Sequence, residues 1–263
     1  MKAREYAKRI LLVRKCVGCR EILDLDNFDS AFCPECRLAF QVAKTESCPE
    51  CYGAATECSC MPTLLSKAGA LTLRKLFFYS AKKDNEAQNK LVYYLKHKKS
   101  KRAATLAASE LAFALRGELD TLGIEGSEVL CVGVPRGRAA VLSYGFDQSE
   151  EVSRALARLL CAEYFPAVRR RFGGKEQKKL NAAQRQKNIK SLMYIKDSDR
   201  ARIEGRYVVL FDDVVTTGAS MSAAVKHLRK LGVDRVLCLS IAMTPKKNRP
   251  SEKKNKEKSA DEE

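Results

Sequence analysis

The chain has 263 residues, of which 45% are hydrophobic, so it is long enough for one α/β domain of ordinary size plus a small additional module. Its 49 Lys and Arg against 32 Asp and Glu give a formal net charge of +17, which indicates an anionic partner or a solvated basic surface. No apolar run approaches the length of a membrane span and the basic N-terminus carries no signal-peptide pattern, which excludes membrane-spanning and secreted classes and predicts a soluble, cytoplasmic protein.

Eight of the 11 cysteines lie in four close pairs near the N-terminus, each near Gly or Pro. Two thiolates on one tight turn converge on a tetrahedral ion, and two such turns supply the four sulfurs of a structural Zn²⁺ site. We therefore predict two structural zinc ions in a module that spans residues 1–62. With sequential pairing, which loop closure favours, the two ligand sets are Cys16, Cys19, Cys33 and Cys36, and Cys48, Cys51, Cys58 and Cys60.

Two alternatives to this assignment remain open. The four pairs can interleave instead of pairing in sequence, and disulfides are a rival that a reducing compartment disfavours. The Cys58-Ser59-Cys60 spacing departs from the usual CxxC spacing and strains the chelate, so the second zinc site rests on the weaker pattern. The other three cysteines, Cys131, Cys161 and Cys238, fall in apolar patterns and are predicted to be core residues.

A basic, helical part follows a connector that we assign to residues 63–84. Helical spacing predicts helices over Glu86–Leu95 and Ala103–Leu115. Residues 90–102 hold six basic and no acidic side chains, together with two tyrosines that can either stack on bases or pack in the core. The candidate nucleic-acid residues are Lys96, Lys98, Lys99, Lys101 and Arg102.

An apolar run predicts a buried strand over Val129–Val134, and the loop Pro135-Arg136-Gly137-Arg138 follows it directly. Two guanidinium groups and a permissive glycine after a core strand can bind an anion. An ordinary surface turn is the alternative interpretation of this short string.

The remaining segments continue an alternation of helices and strands. Apolar patterns predict helices over Ser149–Leu160 and Ala219–Leu231, and strands over Leu192–Ile195, Tyr207–Phe211 and Arg235–Ala242. Residues 168–190 hold nine basic side chains and one acidic one, and are predicted to form a loop that covers a ligand or a solvated hairpin. Residues 246–263 have few apolar side chains and are predicted to be a disordered charged tail.

The run VVLFDDVVTTGAS, residues 208–220, carries the clearest chemical pattern. A strand leads into Asp212 and Asp213, and a hydroxyl-rich turn then leads into a helix. N–H groups at a helix start attract a phosphate, and the two carboxylates lie where an attached ribose presents its vicinal hydroxyls. A turn whose Asp and Thr merely cap the helix is the alternative. The candidate phosphate-binding residues are Thr216, Thr217, Gly218, Ala219 and Ser220.

This run resembles the phosphoribosyl pyrophosphate (PRPP) motif of type I phosphoribosyltransferases. The resemblance implies that Asp212 and Asp213 hold the ribose 2′ and 3′ hydroxyls, that the TTGAS turn holds the 5′-phosphate, and that the loop at 135–138 binds pyrophosphate. Mg²⁺ is the implied cofactor beside PRPP. The implied fold is an α/β fold with a mostly parallel sheet flanked by helices, here over residues 85–245, with the ligand at the carboxyl ends of the strands.

The order of patterns along residues 16–244 is similar to the competence protein F (ComF) family, which joins a cysteine-rich zinc module to a phosphoribosyltransferase-like domain. The shared patterns are the paired cysteines, the box at 144–148 and a basic Q…L…R…N stretch. The chain has Tyr144 where that family usually has Arg, and Asp147 where it usually has Asn. The resemblance implies single-stranded DNA and competence or DNA-processing proteins as partners.

Two functions follow from these patterns. In the first, the protein is a PRPP-dependent phosphoribosyltransferase, in which a nitrogen nucleophile displaces pyrophosphate from the ribose C1. In the second, it is a non-catalytic module that binds single-stranded DNA through its basic segments and its zinc module.

Overall fold

The structure is a computed structural model, and it describes residues 12–80, 86–171 and 192–245. Most of the predicted covering loop and all of the predicted charged tail lie outside the described residues.

Five strands form one parallel sheet. Their bounds are β1 Thr72–Phe78, β2 Val129–Gly133, β3 Glu163–Tyr164, β6 Tyr207–Val215 and β7 Arg235–Met243, and their order in the sheet is β1-β7-β6-β2-β3. Two further strands, β4 (Arg169–Arg170) and β5 (Met193–Tyr194), pair antiparallel in a separate small sheet. The predicted α/β fold with a mostly parallel sheet is confirmed, although the strand predicted at 192–195 lies outside the main sheet.

Helices cover both faces of this sheet. Their bounds are α1 Pro34–Lys44, α2 Thr63–Ser66, α3 Ala87–His97, α4 Lys101–Leu122, α5 Arg138–Tyr144, α6 Gln148–Leu159, α7 Arg200–Ile203 and α8 Ala219–Lys230. The longest, α4, begins where Ser100 Oγ accepts a hydrogen bond from Ala103 N at 3.3 Å, and ends at Gly123, whose φ is +63°. No helix among the described residues is long and apolar enough to cross a membrane.

Neighbouring residues of the central strands point to opposite faces, as the pleat requires. Cys131 and Val209 pack in a cluster with α3, α4 and α6, whereas Leu130 and Val208 pack in a second cluster with α8. The hydrophobic core therefore lies on both sides of β2 and β6.

The segment assigned to a connector contains a strand of the main sheet. Strand β1 pairs with β7 from Thr72 opposite Leu237 to Phe78 opposite Met243, so residues 72–78 belong to the α/β fold. Adjacent basic residues in the middle of the sequence TLRKLFF obscure its apolar pattern. One of them, Lys75, is nevertheless fully buried.

The cysteine-rich segment packs directly on the sheet. The ring of Phe40 in α1 lies 6.2 Å from the ring of Phe77 in β1 and 5.6 Å from that of Phe32, measured between centroids, and all three side chains are buried. The two parts of the chain thus share one hydrophobic core.

Candidate functional site

The order in which strands are added to the sheet reverses between β2 and β6. From β2 the chain continues to β3 on one side, while β6 continues to β7 on the other side. In open parallel sheets a crevice forms at this place, outside the carboxyl ends of the two strands. Here it is bordered by the loop at 134–138 after β2 and the turn at 216–218 after β6.

The acidic pair lies within β6, which extends to Val215 and not only to Phe211 as the apolar run predicted. β7 continues to Met243 and pairs with β6 as far as Val215, which keeps the pair in the strand. Asp213 is 7% exposed, and its Oδ1 accepts a hydrogen bond from Val214 N at 2.7 Å. Its Oδ2 accepts from Gln148 Nε2 at 2.9 Å and lies 3.6 Å from Lys96 Nζ. The Asp213 carboxylate is therefore held by three elements of the fold.

Asp212 Oδ1 accepts a hydrogen bond from Asp213 N at 3.0 Å. Burial, and then the charge of Asp213, raise the pKa of Asp212 well above its usual range. Burial lowers the pKa of Arg170, and the charge of the Asp212 carboxylate works against this fall. Adjacent carboxylate oxygens are good acceptors for sugar hydroxyls and are the ligand type that Mg²⁺ prefers, so the pair fits a ribose, a hard cation or both.

The turn after β6 has the geometry of an anion site. Gly218 adopts φ +73° directly before α8, and the exposed Thr216 and Thr217 precede it. Ala219 and Ser220 form the first turn of α8, where the N–H groups have no partner within the helix. A Cβ on Gly218 would lie 3.2 Å from Pro62 Cβ, so the turn packs closely against the segment that follows the second cysteine set.

The loop after β2 is held in place by its own arginines. Arg136 N donates to Asp147 Oδ2 at 2.7 Å, its guanidinium donates to Lys96 O at 2.7 Å, and the same group stacks 4.4 Å from the centroid of the Tyr144 ring. Arg138 Nε donates to Arg170 O at 2.9 Å. These contacts fix the loop at the edge of the crevice, beside the acidic pair.

Asp147 has a structural role at the start of α6. Its carboxylate accepts from Ser149 N at 2.9 Å as the helix cap, and from Arg136 N, and burial raises the pKa of the group. The residue therefore joins α6 to the loop after β2.

The predicted nucleic-acid residues divide into three groups. Lys96 lies in the crevice beside Asp213. Lys99 Nζ pairs with Glu151 Oε1 at 3.1 Å, and Arg102 donates to the carbonyl oxygens of Ser30 and Lys15. The remaining two, Lys98 and Lys101, are exposed.

A groove of 690 Å³ runs between α3 and the first cysteine turn. The rings of Tyr93 and His97 stack with centroids 4.1 Å apart, and the Tyr144 ring meets His97 edge-on at 5.1 Å. The guanidinium of Arg20 lies 5.5 Å from the Tyr94 ring centroid. Because Arg136 stacks on Tyr144, this aromatic groove adjoins the crevice that contains Asp213.

The structure groups the cysteines in their order along the chain, as sequential pairing predicts. In each set, Cys16, Cys19, Cys33 and Cys36 or Cys48, Cys51, Cys58 and Cys60, the four Sγ atoms lie within 4.8 Å of one another. Cys33 N donates to Cys16 Sγ at 3.3 Å and Glu50 N donates to Cys48 Sγ at 3.4 Å. Arg20 and Tyr52, which follow the first CxxC pair of each set, both have positive φ angles, of 71° and 62°. The second set is thus built like the first, despite its CxC half.

The thiol acidities fit a cation in each set. Burial would raise the pKa of Cys16, but N–H groups of Cys33 and of its own turn hold it at about 7. In the second set burial acts on Cys48 in the same way, and N–H groups of Cys51 and Glu50 hold its pKa at about 7. Burial and neighbouring thiols raise the pKa of Cys36 to about 11 and that of Cys60 to about 12. Four converging sulfurs, of which one ionises readily in each set, suit Zn²⁺.

Three functional roles escape the sequence patterns. Lys96 and Gln148 converge on Asp213 from helices far away in sequence, and Lys75 donates to the carbonyl oxygens of Cys58 and Cys60. The only signal of Gln148 in the sequence is its place in the box at 144–148, and Lys75 has none.

Comparisons with known proteins give one family. The family model described as "Phosphoribosyl transferase domain" matches residues 108–262, which is more than half of the chain. A search of curated protein sequences found no match.

Several solved structures are similar to the chain. One is titled as the allosteric regulatory enzyme of purine biosynthesis: it is 18% identical over 57% of this chain, with a TM-score of 0.37, and the chain spans 30% of its length. The protein TT1426 from Thermus thermophilus is 21% identical over 56% of this chain and 85% of its own, with a TM-score of 0.32. A hypoxanthine phosphoribosyltransferase from Staphylococcus aureus is 16% identical over 59% of this chain and 72% of its own, with a TM-score of 0.31.

Proposed function

The chain belongs to the phosphoribosyl transferase domain family, and on this premise we propose that it binds PRPP or a related ribose phosphate in the crevice between β2 and β6. The observation that carries the proposal is the order of three features in space. Two carboxylates lie near the end of β6, a glycine with a φ of +73° follows them, and the first turn of α8 comes next. Each is the group that a ribose 5-phosphate requires at that place.

The residues have separate roles in this proposal. Asp212 and Asp213 accept hydrogen bonds from the ribose hydroxyls, and the turn at 216–220 binds the 5′-phosphate through N–H groups and hydroxyls. The loop at 135–138, at the edge of the crevice, binds the diphosphate. When bound, Mg²⁺ neutralises charge on the diphosphate and prepares it to leave.

We further propose that the protein is a transferase. A nitrogen nucleophile attacks C1 of the ribose, the C1–O bond to the diphosphate breaks, and pyrophosphate leaves with the electron pair of that bond. The protein contributes position and charge more than proton transfer, because the chemistry needs an aligned nucleophile and a stabilised leaving group. Lys96, 3.6 Å from Asp213 Oδ2, places one positive charge in this crevice.

A screen for pyrophosphate release tests the catalytic proposal. The protein is incubated with PRPP, Mg²⁺ and common nucleobases or amines one at a time, with Asp213→Asn as the inactive control. We expect release with one acceptor and none from the variant. Binding of PRPP without release from any acceptor would contradict transfer and favour a non-catalytic module.

The two cysteine sets are proposed as structural zinc sites. Sulfur ligation by four cysteines leaves no open position for chemistry, so each ion would hold its loops together and support the adjacent parts of the fold. Free thiols in such sets persist in a reducing compartment, which fits the expected cytoplasmic location.

The aromatic groove supports a second candidate function, the binding of single-stranded DNA. Tyr93 is 63% exposed, its ring stacks with that of His97, and the His97 ring meets the Tyr144 ring edge-on. Exposed rings can stack on successive bases, while nearby cations such as Arg20 and Lys98 bind the phosphates. This function is the one implied by the resemblance to the ComF family, with competence or DNA-processing proteins as further partners, and it is compatible with a ribose-phosphate site next to the groove.

A further inference from the structure

Gln148 stands at the N-terminus of α6 and is buried, since only 7% of it is exposed. Its Nε2 donates to Asp213 Oδ2 at 2.9 Å, which fixes the orientation of the amide because a carboxylate can only accept. Its other polar atom, Oε1, is buried and has no hydrogen-bond partner among the described residues. A buried carbonyl oxygen without a donor is unfavourable, and in a native structure it calls for a partner.

The Asp213 carboxylate explains what that partner can be. Val214 N already donates to Oδ1, while Gln148 Nε2 and Lys96 Nζ lie against Oδ2. Much of the accepting capacity of Asp213 is therefore used within the protein. A vicinal diol brings two hydroxyl donors to this place, and Gln148 Oε1 is an acceptor there in addition to the two carboxylates.

We propose that Gln148 reads the ribose directly: its Nε2 holds Asp213 and its Oε1 accepts a hydrogen bond from one of the two ribose hydroxyls. The inference rests on the proposed binding of a ribose phosphate at the acidic pair, and it adds a residue and a source of specificity to that site. The ligand class is a 5-phosphorylated sugar with a cis-diol, and analogues that lack one hydroxyl leave a buried acceptor without a donor.

The test compares binding of ribose 5-phosphate, its 2-deoxy and 3-deoxy analogues, and inorganic phosphate by calorimetry. The variant is Gln148→Met, which keeps length and removes both polar groups. Gln88→Met is the matched control, because Gln88 is also buried and its amide contacts Glu86 instead of the acidic pair. Gln148→Asn, which keeps the amide but shortens its reach, is the second variant in case Gln148→Met does not fold.

We expect the Gln148 variants to bind ribose 5-phosphate roughly three- to tenfold more weakly, as the loss of one hydrogen bond predicts. They should lose the preference for ribose 5-phosphate over one of the deoxy analogues, and bind inorganic phosphate as the wild type does. A variant that keeps both preferences in full, or that weakens phosphate and ribose 5-phosphate equally, would overturn the role of Gln148. A wild-type protein that binds neither ribose 5-phosphate nor PRPP would overturn the proposed function itself.

Discussion

Lys75 Nζ donates a hydrogen bond to the carbonyl oxygen of Cys58 at 2.7 Å, and a second to that of Cys60 at 3.1 Å. Lys75 lies in the middle of β1 and is fully buried. Burial raises the pKa of Cys58, and the ammonium group of Lys75 works against that rise. The residue thus holds both halves of the irregular CxC turn and supplies positive charge beside a set of four sulfurs, whose complex with Zn²⁺ is net negative.

Replacement of Lys75 by Met should weaken zinc binding at the second cysteine set. Loss of a side chain that orients metal ligands lowers metal affinity about 10- to 100-fold. Competition with a chromophoric chelator measures it: one of two zinc equivalents should be released at a lower chelator concentration. Lys226→Met, the same change at an exposed position of α8, is the control. Identical release curves for the two variants would contradict the role of Lys75.

Asp212→Asn should stabilise the ligand-free protein. The folded-state pKa of Asp212 is raised by burial, so the unfolded chain releases this proton at lower pH than the folded chain does. The fold is therefore destabilised progressively as the pH rises from about 4, the ordinary pKa of the group, through the folded pKa. Thermal unfolding at several pH values should show no gain near pH 4 and a gain of a few degrees at neutral pH, since ~1 kcal/mol shifts Tm by roughly 2–4 °C at this size.

The neighbouring residue provides the contrast. Asp213 accepts hydrogen bonds from Gln148 and Val214 and lies near Lys96, so Asp213→Asn should give no such gain. A Tm for Asp212→Asn below that of the wild type across the whole pH range would show that Asp212 stabilises the fold.

Gly218→Ala should weaken phosphate binding. An alanine at φ +73° costs roughly 1–2 kcal/mol, and its Cβ would press on Pro62 from 3.2 Å. Gly123→Ala is a matched control because Gly123 also has a positive φ, of +63°, but an added Cβ there meets nothing within 4 Å. Both variants should lose thermal stability. Calorimetry with PRPP should show weaker binding for Gly218→Ala alone, and equal affinity in the two variants would contradict a phosphate-binding turn.

Binding of single-stranded DNA should depend on the groove and on salt. Tyr93→Ala should weaken binding of a fluorescent oligonucleotide by roughly 1–3 kcal/mol if the ring stacks on a base. Tyr52→Ala, which removes another exposed tyrosine beside the second cysteine set, should leave it unchanged. Lys98→Ala with Lys101→Ala should reduce the dependence of affinity on salt. Equal effects of the two tyrosine substitutions, or binding insensitive to salt, would argue against this function.

The sequence predicts those parts of the molecule in which neighbouring residues act together. The cysteine turns and the run at 208–220 are local patterns. The structure brings the four Sγ atoms of each cysteine set within 4.8 Å of one another, and the acidic pair of β6 is followed directly by the turn that leads into α8. Strand boundaries depend instead on distant partners. Strand β1 is held by β7 although Lys75 interrupts its pattern, and β6 continues past Phe211 because β7 offers hydrogen bonds as far as Met243.

Contacts between distant helices escaped prediction for the same reason. Lys96 is one of six basic residues in its segment, and no pattern distinguishes it as the one beside Asp213. The charge of a segment likewise does not show which side chains are available: the Lys99 ammonium is paired with Glu151, and the Arg102 guanidinium binds backbone carbonyls of the cysteine-rich part. Only the packing of α3, α4 and α6 decides these roles.

Calorimetric titration of PRPP in the presence of Mg²⁺ tests the central claim most directly. The wild-type protein should bind one PRPP per chain, and the double variant Asp212→Asn with Asp213→Asn should not bind it. A thermal melt that shows the double variant to be folded excludes unfolding as the cause of the loss. No heat of binding in the wild type, or equal binding by both proteins, would contradict a ribose-phosphate site at the end of β6.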